Sequence, residues 1–339
     1  MSLSADVDAS QLARWFDANG IDLTEPVRLT LIAGGRSNLT YQADDAAGRS
    51  YVLRRPPMGN VLQSAHDVAR EHRIISALDG SGVPVPHSYG LCTDPSVFGA
   101  PFYVMNLVPG IVVAVDSEGS EYPVESRTLA SIDLVDIMAR IHLLDVDEVG
   151  LGALGRKEDY GQRQLRRWHR QFHESSDRDL PLVDEVHRRL SSAIPPQKFT
   201  GLVHGDLRPG NVLLSPVGRV NAVLDWELAT LGDTLADLGW LVATWRMPGE
   251  PELLESPTAH PGWLSRAELI NRYSEQTGHD VSDIGWYRAF ALWRLTCIGE
   301  GIYSRYRAGV MGNDGFDIEA QALLVVRLAE AAHAALEDL

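Results

Sequence analysis

The chain of 339 residues is poor in cysteine, with only Cys92 and Cys297. Two isolated thiols cannot build a disulfide framework or a thiolate metal site, so buried free thiols in a reducing compartment are expected. The stretch from Met1 to Ser10 lacks the basic region and apolar core of a secretory leader, and no run has the uninterrupted apolar length a membrane helix needs. A soluble, unprocessed, cytoplasmic protein is the expectation, with no membrane partner. Positive charge is also scarce, since 30 Lys plus Arg stand against 46 Asp plus Glu, a formal net charge of −16. That balance disfavours nucleic acid and anionic lipid as partners.

Apolar residues, by contrast, make up 45% of the chain, enough for a sizeable core but in a length that exceeds the usual single-core domain. Two lobes around a cleft follow. The most informative stretch is His204-Gly-Asp-Leu-Arg-Pro-Gly-Asn211, which enters the apolar run Val212-Leu213-Leu214. After a second apolar run at Val223-Leu224 comes Asp225-Trp226-Glu227. Phosphoryl transfer needs few residues, mostly oxygen donors that orient a hydroxyl and hold magnesium against a polyphosphate. Asp206 suits the first task; Asn211 and Asp225 suit the second. A loop turned by Pro209 and Gly210 would hold Asp206 and Asn211 five positions apart, and a hairpin would return Asp225 to the same metal.

These motifs resemble the aminoglycoside phosphotransferase family, which carries His-Gly-Asp-x-x-x-x-Asn followed by an Asp-containing metal motif. Leu224 to Asp233 and Leu235-Ala236-Asp237-Leu238 are most similar to the branch of kinase domains associated with acyl-CoA dehydrogenases. The resemblance runs from about Leu29 to the C-terminal helices. It implies an α+β, protein-kinase-like fold of two lobes: an antiparallel sheet with a helix in the N-lobe, and a mainly helical C-lobe. Residues 1–105 would form the nucleotide-binding lobe, 106–110 the hinge and 111–339 the catalytic and substrate-binding lobe. ATP and Mg2+ are the implied cofactors.

Within the N-lobe, Leu12, Trp15 and Phe16 fall at helical spacing in a segment stopped near Asn19-Gly20. Val27 to Ile32, Thr40 to Ala43 and Tyr51 to Arg54 read as strands. Between the first two, Gly34 and Gly35 would let backbone N–H groups approach phosphate, with Ser37 and Asn38 adding donors; an ordinary hairpin turn explains the same residues. Alternation puts Val52 and Arg54 on one strand face, suited to adenine and to the α and β phosphates. Arg54 stands where most kinases carry Lys, with Arg55 the alternative candidate for that role. The segment Ser64 to Leu78 reads as a helix, whose Glu71 would pair with Arg54, unless it is a surface residue beside Arg70 and Arg73. Gly80 to Pro86 ends that helix and leads to the strand Phe102 to Met105. By the resemblance, the Asn106 carbonyl and the Val108 N–H would bond adenine, with Met105 behind the pocket. Gly110 to Ser126 is a mixed apolar and acidic insertion, read as a flap without assigned chemistry.

From about Leu129 the pattern turns helical, with Ile137, Ile141 and Leu144 on one face and His142 as a core histidine. His204 would brace the catalytic loop and Asp237 would anchor it from the following helix. Arg208, two residues after Asp206, takes the place of a lysine that meets the transferred phosphate in protein kinases. The acceptor is expected across the cleft, where Arg163, Arg167 and Arg170 share a helix face above Leu165, Trp168 and Phe172, with Glu227 counted beside them. A second basic cluster, Arg288, Arg294, Arg305 and Arg307, interleaves with aromatics from Trp286 to Tyr306. Solvated helix faces account for either cluster alone. Together they favour a hydroxylated anion, a hydroxy acid or hydroxyacyl derivative, over an aminoglycoside. A nucleotide-binding regulator without catalysis is the reading of a different class, motivated by Arg54.

Overall fold

A computed structural model of the chain describes residues 9–34, 38–57, 68–311 and 315–337. Gly35, Ser37 and the start of the helix expected from Ser64 lie outside the described residues. The smaller lobe is an antiparallel sheet of β1 (Arg28–Gly34), β2 (Leu39–Asp44), β3 (Ser50–Arg55), β4 (Ser88–Cys92) and β5 (Phe102–Asn106), in the order β1-β2-β3-β5-β4. Each of the two β3 faces buries a different set of residues, as strand alternation requires. Tyr51 and Leu53 pack with Phe102, Val104 and the Leu12 and Phe16 side chains of α1 (Ala9–Ala18). Val52 joins Tyr103, Met105 and the Ile74, Ile75 and Leu78 side chains of α2 (Val68–Leu78). Edge strand β4 and the single turn α3 (Pro95–Phe98) fill the stretch where the sequence reading placed no strand.

Beyond β5 the chain enters α4 (Asp116–Glu121) and α5 (Val124–Leu143). The segment read as a flap is anchored. Glu118 accepts from the N–H groups of Ala114 and Val115, and the Tyr122 hydroxyl donates to the Ser215 carbonyl. The Arg127 guanidinium, buried, donates to the carbonyls of Ser120, Tyr122 and Pro261. Helix α5 therefore starts five residues earlier than the apolar period announces, directly after Pro123, and runs through the core with Leu134, Ile137, Met138 and Ile141 buried.

Helices α6 (Tyr160–Ser175), α7 (Pro181–Ser192), α8 (Leu235–Thr244), α9 (Arg266–Thr277), α10 (Ile284–Arg307) and α11 (Ile318–Glu337) complete the larger lobe. Two small antiparallel pairs are nested between α7 and α8: β6 (Thr200–Val203) with β9 (Thr230–Asp233), and β7 (Val212–Leu214) with β8 (Val220–Val223). Because the outer pair closes around the inner one, the loop after β6 and the loop after β8 emerge side by side. The Leu224 N–H donates to the Asn211 carbonyl at 2.9 Å and fixes their spacing. Among the described residues, no helix is long and apolar enough to cross a membrane.

Candidate active site

The loop after β6 is set from below by one buried carboxylate. Asp237, in the first turn of α8, accepts the N–H of His204 at 2.6 Å on one oxygen and the N–H of Gly205 at 2.8 Å on the other. His142 adds its Nε2 at 3.2 Å, and Tyr273 meets the Nδ1 of the same ring at 2.8 Å. Burial alone would raise the Asp237 carboxyl; the donors around it, His142 foremost, hold it below its ordinary value. His204 then acts in two directions. Its Nδ1 accepts the Asp206 N–H at 3.2 Å, which leaves Nε2 as the donor to the Leu224 carbonyl at 2.9 Å. Gly205 sits at φ 88°, where a side chain would strain the backbone and meet Leu228 at 3.1 Å.

Asp206 is thereby presented with both carboxylate oxygens engaged. Oδ2 accepts Asn211 Nδ2 at 2.8 Å. Oδ1 accepts Trp240 Nε1 at 2.7 Å and lies 3.4 Å from Arg208 Nε. An ionised carboxylate has about four acceptor positions, so room is left for one hydroxyl. The amide of Asn211 gives its N–H2 to Asp206, both to Oδ2 and to the backbone carbonyl at 2.7 Å, which leaves Oδ1 as the oxygen it can offer a cation. Beside Asp206 opens a cavity of about 430 Å3, lined by Val115, Leu228 and Ile298 on its apolar side and by Arg208, Trp240 and Arg294 on its polar side, with Glu255 also present. A second cavity of about 450 Å3 shares Thr244 and Leu254 with the first and carries Arg246, Arg266, Arg288 and Arg327 alongside Glu250 and Glu330.

Across the cleft, Arg54 Nε meets Glu71 at 2.9 Å and its second nitrogen meets Asp225 Oδ1 at 2.6 Å, so one guanidinium ties β3, α2 and the loop after β8 together. Burial opposes the charge on Arg54, but Glu71, then Tyr103, Asp225 and Glu227, more than offset it and raise its pKa. Asp225 adopts φ 62° and ψ 63°, a left-handed conformation that costs a non-glycine residue about 1–3 kcal/mol. Arg55 is no substitute for Arg54. It lies on the opposite face of β3, 3% exposed, over the rings of Tyr41 and Phe98.

Met105 is the register partner of Val52, and the two are buried together. Asn106, beyond it, spends its side-chain oxygen on the His87 N–H at 2.7 Å, and Val108 is half-buried in the connection that follows. Gly34 ends β1, and Asn38, 5% exposed, precedes β2. The residues expected to face the acceptor are more scattered. The cavity beside Asp206 is lined by none of Arg163, Arg167, Arg170 and Glu227. Arg163 donates to the Arg156 carbonyl, Arg170 is exposed beside Glu174, and Glu227 acts on Arg54. Arg167 lies 5.3 Å from the Trp168 ring, which also has Arg294 at 5.3 Å.

Of the second basic cluster, Arg294 alone reaches this cavity, 4.4 Å over the Trp240 ring. Trp286 and Trp293 are core residues that donate to Leu190 and Val183, while Arg307 pairs with Asp177 at the surface. Trp240 was absent from the sequence reading. Its signal was available, since it lies three residues after Asp237 on α8 and so on the same helix face.

A model of the phosphotransferase enzyme family matches residues 28–269. The chain is 33% identical over 296 residues to the mouse (Mus musculus) acyl-CoA dehydrogenase family member 10; the match covers 86% of this chain and 28% of that protein. The chain thus spans about a third of the length of the curated relatives it matches. The crystal structure of a candidate aminoglycoside phosphotransferase from Ralstonia eutropha JMP134 superimposes with a TM-score of 0.82 at 29% identity, covering 98% of both chains. Aminoglycoside phosphotransferase APH(4)-Ia, in ternary complex with ADP and hygromycin B, shares the fold with a TM-score of 0.63 at 17% identity, covering 95% of this chain and 97% of its own.

Proposed function

The chain belongs to the phosphotransferase enzyme family, a family of small-molecule kinases, and from that premise we propose that it transfers the γ-phosphoryl group of ATP, with Mg2+, to a hydroxyl of an anionic hydroxy acid or hydroxyacyl derivative. The observation that carries this reading is the shared cavity of Asp206, Arg208 and Arg294. Asp206 holds its remaining acceptor position toward that cavity, so it orients the hydroxyl and receives its proton as the O–P bond forms. Arg208 lies beside the same oxygen and meets the phosphoryl oxygens as negative charge spreads over them. Arg294 takes the carboxylate or other anionic end of the acceptor, and the arginine-lined neighbouring cavity suits a longer, charged tail. On the donor side, Arg54 exchanges its hold on Asp225 for the nucleotide phosphates. The donor set for magnesium fits a hard cation: the Asn211 amide oxygen and the Asp225 carboxylate, beside phosphate oxygens. Such an ion neutralises the polyphosphate and the transferred group. The ADP bound by APH(4)-Ia and the GDP bound by aminoglycoside 2'-phosphotransferase-IIIa support a purine nucleotide as donor, of which ATP is the one proposed.

A panel of metabolites assayed for acceptor-stimulated ADP release, with Asp206→Asn as control, tests this reading. Hydroxylated anions should stimulate release, chelation of Mg2+ should stop it, and the variant should lose turnover while keeping nucleotide affinity. Unchanged turnover in Asp206→Asn would sink the mechanism. Stimulation by aminoglycosides instead of hydroxy acids would overturn the acceptor, and tight ATP binding without transfer to any acceptor would favour a regulator.

A further inference from the structure

Histidine is a minor residue in this chain, 11 of 339, yet three fall on the adjoining faces of α6 and α7. His169 and His173 stand four residues apart on α6, one turn above the other on a single face. Asp184 stands in the first turn of α7. The Nε2 atoms of the two imidazoles lie 2.8 and 2.9 Å from the same Asp184 Oδ1, and 3.2 Å from each other. Hydrogen bonding alone fills this arrangement poorly. If both Nε2 atoms carry protons to donate to Asp184, two N–H groups crowd together at that separation; if one is bare, only one donor remains for the shared oxygen.

A single cation satisfies all three atoms at once. A tetrahedral ion with bonds of roughly 2.0–2.1 Å sets its ligand atoms about 3.3 Å apart, so the triangle needs shifts of no more than about 0.5 Å to close on it. The ring of His187, three residues after Asp184, stacks on His169 at 3.8 Å and 15° and rests 5.5 Å from Trp293. That stack fixes the His169 ring plane. Asp184 and His173 are exposed, which gives an ion direct access and leaves the outer side of the triangle to water.

We propose that His169, His173 and Asp184 form a binding site for one divalent transition-metal ion of the zinc type, which staples α6 to α7 on the larger lobe. Two imidazoles and one carboxylate suit such an ion, whereas the oxygen-only donors of Asn211 and Asp225 suit magnesium. The site therefore discriminates between the two cations by donor chemistry, and it stands whether or not the acceptor assigned above is right. Its mechanical consequence lies in α6, because Trp168, the residue before His169, sits between Arg167 and Arg294 behind the acceptor cavity.

The test uses the full chain, freed of metal with a chelator and kept in millimolar Mg2+, titrated with ZnCl2 in a calorimeter. One ion per chain should bind at micromolar concentration or below. At a hundredfold excess over its dissociation constant the melting temperature should rise by about 4 °C. Co2+ in place of Zn2+ should give the visible absorption of a tetrahedral site. His173→Ala and Asp184→Asn, both at exposed positions, should weaken binding about 100-fold with metal-free melting temperatures near that of the parent. The proposal is overturned if the parent takes up no Zn2+ in the presence of Mg2+, or if a His169→Ala, His173→Ala double variant titrates like the parent.

Discussion

The indole N–H of Trp240 and the carboxylate of Asp206 meet at 2.7 Å, a bond that joins the loop after β6 to α8 within the cavity both residues line. It restrains the Asp206 carboxylate from the side opposite Asn211, so the plane of the carboxylate is held by two donors rather than one. A hydrogen bond to a charged group contributes about 1.5–3 kcal/mol.

Trp240→Phe should therefore lower kcat about 10-fold or more through misorientation of Asp206. Nucleotide KM should stay near the parent value, because Trp240 bonds Asp206 whereas Arg54 is held by Glu71 and Asp225. Steady-state kinetics with the nucleotide and the acceptor varied separately decide this; a change confined to nucleotide KM would contradict it.

Arg294→Met removes the positive charge over the Trp240 ring while keeping most of the apolar stem. The KM for an anionic acceptor should rise roughly 10- to 100-fold, since a charge-assisted contact of about 1.5–3 kcal/mol is lost. For a neutral acceptor of the same size the change should be small. Comparing the two acceptors in one variant separates a charge effect from a general loss of packing.

Glu71 is the more buried partner of Arg54, with its side chain 2% exposed against 14%. Removing one member of such a pair leaves an uncompensated charge, which costs about 3–5 kcal/mol. Glu71→Leu should lower the urea midpoint correspondingly, and it should weaken nucleotide binding because Arg54 then rests on Asp225 alone. A variant as stable as the parent would show that Asp225 suffices.

The Asp237 carboxyl is held below its ordinary value of 3.8. A depressed acid stabilises the folded chain above its unfolded pKa, and that stabilisation is lost as pH falls through the folded value. Asp237→Asn should thus melt well below the parent at pH 7, and the gap should narrow steadily once pH drops under about 4. Melting temperatures of both proteins across pH 3–7 give the curve; a gap that widens on acidification would contradict a depressed Asp237.

The parts of the site legible in the sequence are those whose geometry is local. His204 to Asn211 is one loop, and its chemistry is set by residue types at fixed spacing. Arg54 and Glu71 lie on neighbouring elements, so strand alternation and one helix turn were enough to bring them together. Arg294 was visible only as one arginine of a cluster, because nothing in the period of α10 says which turn of that helix reaches a loop some 90 residues earlier. The same limit explains Arg163 and Arg170. Amphipathic spacing separates them from the core face of α6, but it does not say what the polar face meets. Strand β4 escaped because Ser88-Tyr89-Gly90-Leu91-Cys92 is short, contains glycine and sits at a sheet edge. The early start of α5 escaped because the apolar period there is weak and the buried Arg127 sits where a surface residue is expected.

Asp237 fastens the catalytic loop to His142 on α5, and through it to Tyr273 on α9, whereas Arg294 and most of the acceptor wall come from elsewhere. Under the proposed function, the aim of Asp206 is set largely from the deep interior, while the choice of acceptor would rest on replaceable side chains of α10 and on Ala114 and Val115. Under selection, such a division lets a lineage exchange one substrate for another by a few substitutions at the rim without rebuilding the machinery that moves the phosphoryl group.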